Sequence, residues 1–251
     1  MHDSLSNWKT FGKHDPYYGV LSDEKYKTEN LTGESIREFF QTGEEYVQET
    51  SKRIEENFSF QISSASILDF GCGVGRLAIP FARQTQQVVI GLDISTDIIA
   101  KAKEHAQALD SKNLEFIVYD GKKLPKLPSF DLVNSYIVLQ HIEKQRGLAI
   151  IEELIQKIKI GGIAHIQITH GHKLPAHTYL NFYLRTKVSW YNFLYSSLKH
   201  RKLMSEPVMQ MNLYDKKSLH KLFSKYSSDI VEVQTDHGGF IGSFFMFRRE
   251  K

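Results

Sequence analysis

The chain has 251 residues, 41% of them hydrophobic, and a formal net charge of +3. That suffices for the core of one elaborated α/β domain, supplies too little positive charge for a nucleic-acid surface, and contains no apolar run near the 18 or more residues of a membrane span. Cys72 is the only cysteine, which excludes an internal disulfide, a redox pair and a zinc cluster, and with no signal peptide in view the chain is expected in the cytoplasm.

Residues 1–60 carry twelve acids against seven Lys and Arg and are expected to form a helical cap ahead of the domain at 61–251. An irregular aromatic stretch, "DPYYGVLSDEKY", precedes two helices, the first capped by Thr32 and the second started by a capping box of Thr42 with Glu45. Ser66 to Phe70 then reads as a short buried strand and Arg76 to Arg83 as a helix, with Gly71, Gly73 and Gly75 forming a tight turn between them. Two ligand classes use such a unit: dinucleotides, whose pyrophosphate sits on the helix N-terminus, and S-adenosylmethionine, which has no phosphate. A dinucleotide fingerprint needs a glycine three residues after Gly73, and Arg76 stands there instead. Asp69, just before the turn, suits a cationic sulfonium and ammonium better than a pyrophosphate.

The stretch "ILDFGCGVGRLAIPFA" resembles motif I of class I S-adenosylmethionine-dependent methyltransferases. The resemblance implies a Rossmann-like α/β fold: a seven-stranded, mostly parallel sheet with an antiparallel last strand, helices on both faces, and an N-terminal cap that tends to cover the cofactor. Downstream residues agree in order. "QVVIGL" is a strand ending at Asp93, whose carboxylate can accept both ribose hydroxyls. A helix from Thr96 to Leu109 leads to the strand "LEFIVYD", ending at Asp120, where family members place an acid near the adenine amino group. "FDLVNSY" ends by Tyr136, "VLQHI" follows, and a helix from Arg146 is expected to close on Gly161 and Gly162 before the strand "IAHIQIT". On this resemblance S-adenosyl-L-methionine is held by Asp69, Gly71, Cys72, Gly73, Gly75, Asp93, Ile94, Asp120, Gly121 and Tyr136, with Cys72 a small filler rather than a nucleophile.

An insertion at about 170–212 follows. Residues 170–225 hold ten Lys and Arg against two acids, and Leu180, Leu184, Val188, Tyr191, Tyr195 and Leu198 recur at the spacing of one amphipathic helix. That helix reads as packed on its own core, as a lid over the acceptor, as a homodimer contact, or as a weak contact with an anionic membrane surface. A helix, a strand to Gln234 and a last strand Phe240 to Arg248 close the chain; the last is apolar on both faces and therefore central.

Ligands of an open α/β sheet bind beyond the carboxyl ends of the strands, which places His141, His170, His172 and His237 on one rim and leaves His165 within a strand as packing. His141 is expected to be the catalytic base, oriented by Gln140, and His237 an acceptor ligand steadied by Asp236. Tyr17, Tyr18, Gln140, His170 and His172 complete the acceptor side, and the histidine spacing matches no metal site. "DPYYGVL", "MQMNLYD" and "TDHGG" are similar to bacterial methyltransferase-domain proteins associated with surface glycans, which implies O-methylation of a small-molecule or sugar hydroxyl. A noncatalytic cofactor-binding scaffold and a nicotinamide oxidoreductase are the alternatives.

Overall fold

The computed structural model describes residues 4–109 and 111–251. In chain order the elements are α1 (Ser4–His14), α2 (Pro16–Val20), α3 (Gly33–Phe58), β1 (Ile67–Phe70), α4 (Ala78–Gln84), β2 (Val89–Asp93), α5 (Thr96–Ala108), β3 (Leu114–Val118), β4 (Phe130–Ser135), α6 (Lys144–Gln156), β5 (Ile158–His172), α7 (Ala176–Lys187), α8 (Ser189–His200), α9 (Lys216–Phe223), β6 (Val231–His237) and β7 (Phe240–Arg248). The strands form one sheet in the order β3-β2-β1-β4-β5-β7-β6, with β7 antiparallel to both neighbours. The methyltransferase-like architecture anticipated from the sequence is therefore present, and β7 is interior, as its apolar faces require.

Alternation along the strands sorts the core. Ile67, Val89, Leu132 and Ile163 face a layer made by α3, α4 and α5, whereas Leu68, Ile90, Val133 and Ile166 face α6 and α9. Because the chain runs β1, β2, β3 outward and then returns to place β4 on the other side of β1, the strand order reverses between β1 and β4. A crevice opens at such a reversal, beyond the carboxyl ends of the strands.

Three sequence expectations give way to tertiary packing. The two N-terminal helices are one, α3: the capping box is Thr32 with Ser35, while Thr42 lies mid-helix and donates its hydroxyl to the carbonyl of Phe39. Gly43 is tolerated inside α3 because a Cβ there would overlap the carbonyl of Arg76, so close approach to the turn before α4 selects glycine. The helix α6 stops at Gln156, and Gly161 and Gly162 sit inside β5; Gly161, at φ +84°, exchanges hydrogen bonds with the end of β7 through Arg249 and Arg248. Pairing with β7 thus overrides the helix-stop signal of a Gly-Gly pair. The insertion contains two helices rather than one, α7 and α8, separated at Val188 in extended conformation.

Candidate active site

All three glycines after β1 are left-handed, with φ of +77°, +55° and +89° at Gly71, Gly73 and Gly75. A Cβ on Gly71 would overlap Val138, and one on Gly73 would overlap Val20 of α2. Side chains are thereby excluded from a turn that the segment after β4 and the N-terminal helices both press upon. The turn forms one wall of a cavity of about 480 Å³ at the β1/β4 reversal, inside the size range of small-ligand sites.

Asp93 ends β2 on that wall. Its Oδ2 accepts the Gly73 N–H at 3.2 Å and its Oδ1 the Ser95 N–H at 3.0 Å. Burial raises its pKa, and the backbone N–H groups of Ser95, Gly73 and Ile94 oppose the rise. A carboxylate offers about four lone-pair sites, so acceptor capacity remains beyond these backbone donors and a ribose hydroxyl can be held there. Ile94, Ile98, Tyr119 and Ile142 supply an apolar slot beside it, and Gly121 closes the slot. The Gly121 carbonyl accepts from Arg146 Nε at 3.3 Å, which ties the β3 loop to α6. Val20 and Trp8 reach the cavity from the N-terminal helices.

Other residues expected on the cofactor lie behind the wall. Asp69 is 1% exposed; its Oδ1 accepts Asn134 Nδ2 at 2.8 Å, its Oδ2 has no partner among the described residues, and burial lifts its pKa to about 6. It ties β1 to β4. Cys72 is buried, its thiol pKa raised by burial, and it fills space between the turn and β2. Gly75 makes room for Ile79 and Phe116 rather than for a ligand. Asp120 is exposed and turned onto its own loop, where Oδ1 accepts the N–H groups of Lys122 and Lys123, an Asx-type turn that explains an acid at this position without a ligand.

Of the four rim histidines, only His141 lines the cavity, and His237 packs against the lining residue Tyr136. His141 packs against Trp8 with ring centroids 4.9 Å apart, and bonds Gln210 O through Nδ1 at 2.6 Å. A carbonyl can only accept, so Nδ1 carries the proton, and burial lowers the pKa to about 4. His237 stands edge-on to Tyr136, a cavity residue, at 5.5 Å; its Nε2 is buried with no partner among the described residues. Burial lowers its pKa, with Asp236 opposing and the Arg76 charge assisting. Asp236 bonds Lys173 and the Gly239 N–H, not the imidazole. His170 occupies a register shift in β5, which re-aims it to Ser243 Oγ at 3.0 Å and a separate crevice beside Tyr214. His172 stacks on Tyr179 of α7 at 3.8 Å. His165 is fully buried and bonded to Asn134 Oδ1 at 3.0 Å, as packing required.

The remaining acceptor candidates also stand back from the cavity. Tyr17 is buried with its hydroxyl on His105 Nε2 at 2.7 Å, Tyr18 lies under the Lys27 ammonium, and the Gln140 side-chain amide is buried without a partner among the described residues. Trp8, Arg146, Lys187 and Gln210 line the cavity although nothing in their local sequence marks them. Ile137, also on the wall, is a β-branched residue at φ +58°, a strained backbone of the kind found at ligand sites.

Residues 67–162 match the family model described as a methyltransferase domain. This chain carries a class I S-adenosylmethionine-dependent methyltransferase domain. A demethylmenaquinone methyltransferase from Lactococcus lactis is 28% identical over 196 residues, 76% of each chain. Magnesium protoporphyrin IX methyltransferase from Synechocystis PCC 6803, solved with S-adenosylhomocysteine, superposes with a TM-score of 0.63 at 17% identity over 98% of this chain and 97% of the other. The N-terminal domain of EvdMO1, solved with S-adenosylhomocysteine and D-fucose, gives 0.54 at 13% identity over 81% and 82%. The methyltransferase domain uses S-adenosylmethionine, and its cavity fits that cofactor: a side-chain-free turn, a carboxylate with spare acceptor capacity and an apolar slot stand side by side. No helix among the described residues is long and apolar enough to cross a membrane, and none of their His, Cys, Asp and Glu groups form a metal cluster.

Proposed function

We propose that the domain methylates a hydroxyl oxygen of a small-molecule acceptor, a sugar or glycan hydroxyl first among them, in the cytoplasm. When bound, S-adenosylmethionine supplies an electrophilic methyl group and departs as the neutral thioether. In this reading Gly71, Gly73 and Asp93 hold the cofactor, Ile94 and Gly121 border its base, and Tyr136 marks the acceptor side. The observation that carries the reading is the buried Nε2 of His237, without a partner among the described residues, on a ring that packs against the cavity residue Tyr136. A lowered pKa keeps that imidazole neutral at pH 7, so it can take the hydroxyl proton as the new O–C bond forms. This exchanges the roles expected from sequence: His141, at about 4, is too weak a base for the task and instead positions Trp8 and the segment carrying Gln210.

Support for a sugar comes from the N-terminal domain of EvdMO1, whose structure was solved in the presence of D-fucose. A second reading, methylation of a demethylated quinone, is favoured by the demethylmenaquinone methyltransferase relative. Assays of S-adenosylhomocysteine release with deoxysugar glycosides and with a demethylnaphthoquinol separate the two. His237→Gln is expected to lower kcat on the hydroxyl acceptor by about 100-fold, within the usual range of general-base contributions, while cofactor Kd stays unchanged. Full activity in His237→Gln removes the base assignment, and turnover of the quinol alone replaces the hydroxyl reading.

A further inference from the structure

The hairpin of α7 and α8 is built inside out. Its inner side is polar: Asn192 and Ser196 are fully buried, Asn192 donates to Ser205 Oγ at 3.0 Å and to the Glu206 carbonyl at 2.8 Å, and its Oδ1 accepts from Arg185 Nε at 3.1 Å. Arg185 in turn pairs with Glu206 at 3.2 Å, and Ser196 Oγ accepts the Glu206 N–H. The outer side is apolar. Trp190 is 70% exposed, Leu194 50% and Leu198 72%, and their spacing of four keeps them on one face of α8, opposite Asn192 and Ser196. Seven of the eleven large hydrophobic side chains exposed among the described residues lie between Leu180 and Leu203. A water-facing helix normally has the reverse arrangement, and a contiguous apolar patch of this kind marks an interaction surface.

Charge selects the partner. Residues 173–205 contain six Lys and Arg and no Asp or Glu, and the nearest acid, Glu206, is already engaged by Arg185, Lys199 and His200. A second copy of the hairpin would bring six cations against six, whereas an anionic bilayer complements the charge and accepts the apolar face. We infer that the α7–α8 hairpin docks the protein on an anionic lipid surface. Lys187, at the hairpin turn, is part of the cavity wall, so the docked face adjoins the cavity mouth. Resting on the methyltransferase reading above, this means that an acceptor held at the bilayer surface has a short route to the site.

Sedimentation of the full chain with vesicles tests the inference. Binding is expected to vesicles of equimolar phosphatidylcholine and phosphatidylglycerol, to be absent with phosphatidylcholine alone, and to be reversed by high salt. Trp190→Ser with Leu198→Ser, and separately Arg201→Gln with Lys202→Gln, should each weaken it by about tenfold or more, while calorimetric cofactor binding verifies that both variants are folded. Equal binding to neutral and anionic vesicles, binding to neither, or a concentration-dependent dimer without vesicle binding overturns the proposal. Turnover of a water-soluble acceptor is scored separately, so failure of the catalytic reading leaves the docking result standing.

Discussion

Asp93→Ala is expected to weaken binding of S-adenosylhomocysteine at least tenfold. The carboxylate already receives the Gly73 and Ser95 N–H groups, one on each oxygen, and it lines the cavity with acceptor capacity to spare. Hydrogen bonds to a charged group contribute about 1.5–3 kcal/mol each, and tenfold in Kd corresponds to about 1.4 kcal/mol. Loss of one such bond therefore already reaches tenfold, and loss of two exceeds it. Alanine also strips the partner from the Gly73 N–H, which loosens the left-handed turn that must stay free of side chains. Asp93→Asn keeps one carbonyl oxygen and should fall between wild type and alanine. Titration calorimetry gives both values, and unchanged affinity in Asp93→Ala would dismiss the ribose assignment.

Acidification is expected to destabilise the protein steeply from pH 6.5 downward. His165 and His141 are buried in the fold, which lowers their pKa values to about 3 and about 4, against 6.5 for an unperturbed imidazole. The sign follows from proton counts: between those folded values and 6.5 the unfolded chain binds more protons, so stability falls with pH, by about 1.4 kcal/mol per pH unit for each histidine. The window closes near pH 4 for His141 and near pH 3 for His165. Asp69 acts in the opposite direction. Its folded pKa of about 6 exceeds the unfolded value, so its burial costs most above pH 6 and that cost is relieved on acidification; Asp93 shifts in the same direction. At pH 5 the two histidines together remove about 4 kcal/mol and Asp69 returns about 1.4 kcal/mol, a large net loss against the usual 5–15 kcal/mol of a domain. Urea unfolding at pH 7.5 and pH 5 reads the difference directly. His165→Gln should lower the slope between them by about one histidine's share, and a flat profile across this range would contradict the burial of both imidazoles.

The strand, turn and strand-end pattern was legible because each piece carries a local requirement. Gly71 and Gly73 answer to backbone that only glycine adopts easily, and Asp93 to the end of an apolar run. The helices flanking the sheet were less legible at their ends, where partners distant in sequence decide. Gly161 and Gly162 look like a helix stop until β7 pairs with them, and Thr42 looks like a cap until α3 continues through it to meet Arg76. Strand-end logic put four histidines at one edge, but a register shift at His170 and the stacking of His172 on Tyr179 turn two of them away from the cavity. Trp8, Lys187 and Gln210 reach the cavity through packing of segments that no short-range pattern connects.

The structure of the chain crystallised with S-adenosylhomocysteine tests the central claim most directly. The ligand is expected between the Gly71–Gly73 turn and the Tyr119–Gly121 segment, its ribose hydroxyls within hydrogen-bonding distance of Asp93 and its sulfur toward Tyr136. Ligand bound elsewhere, or NADH occupying this cavity in its place, would contradict it.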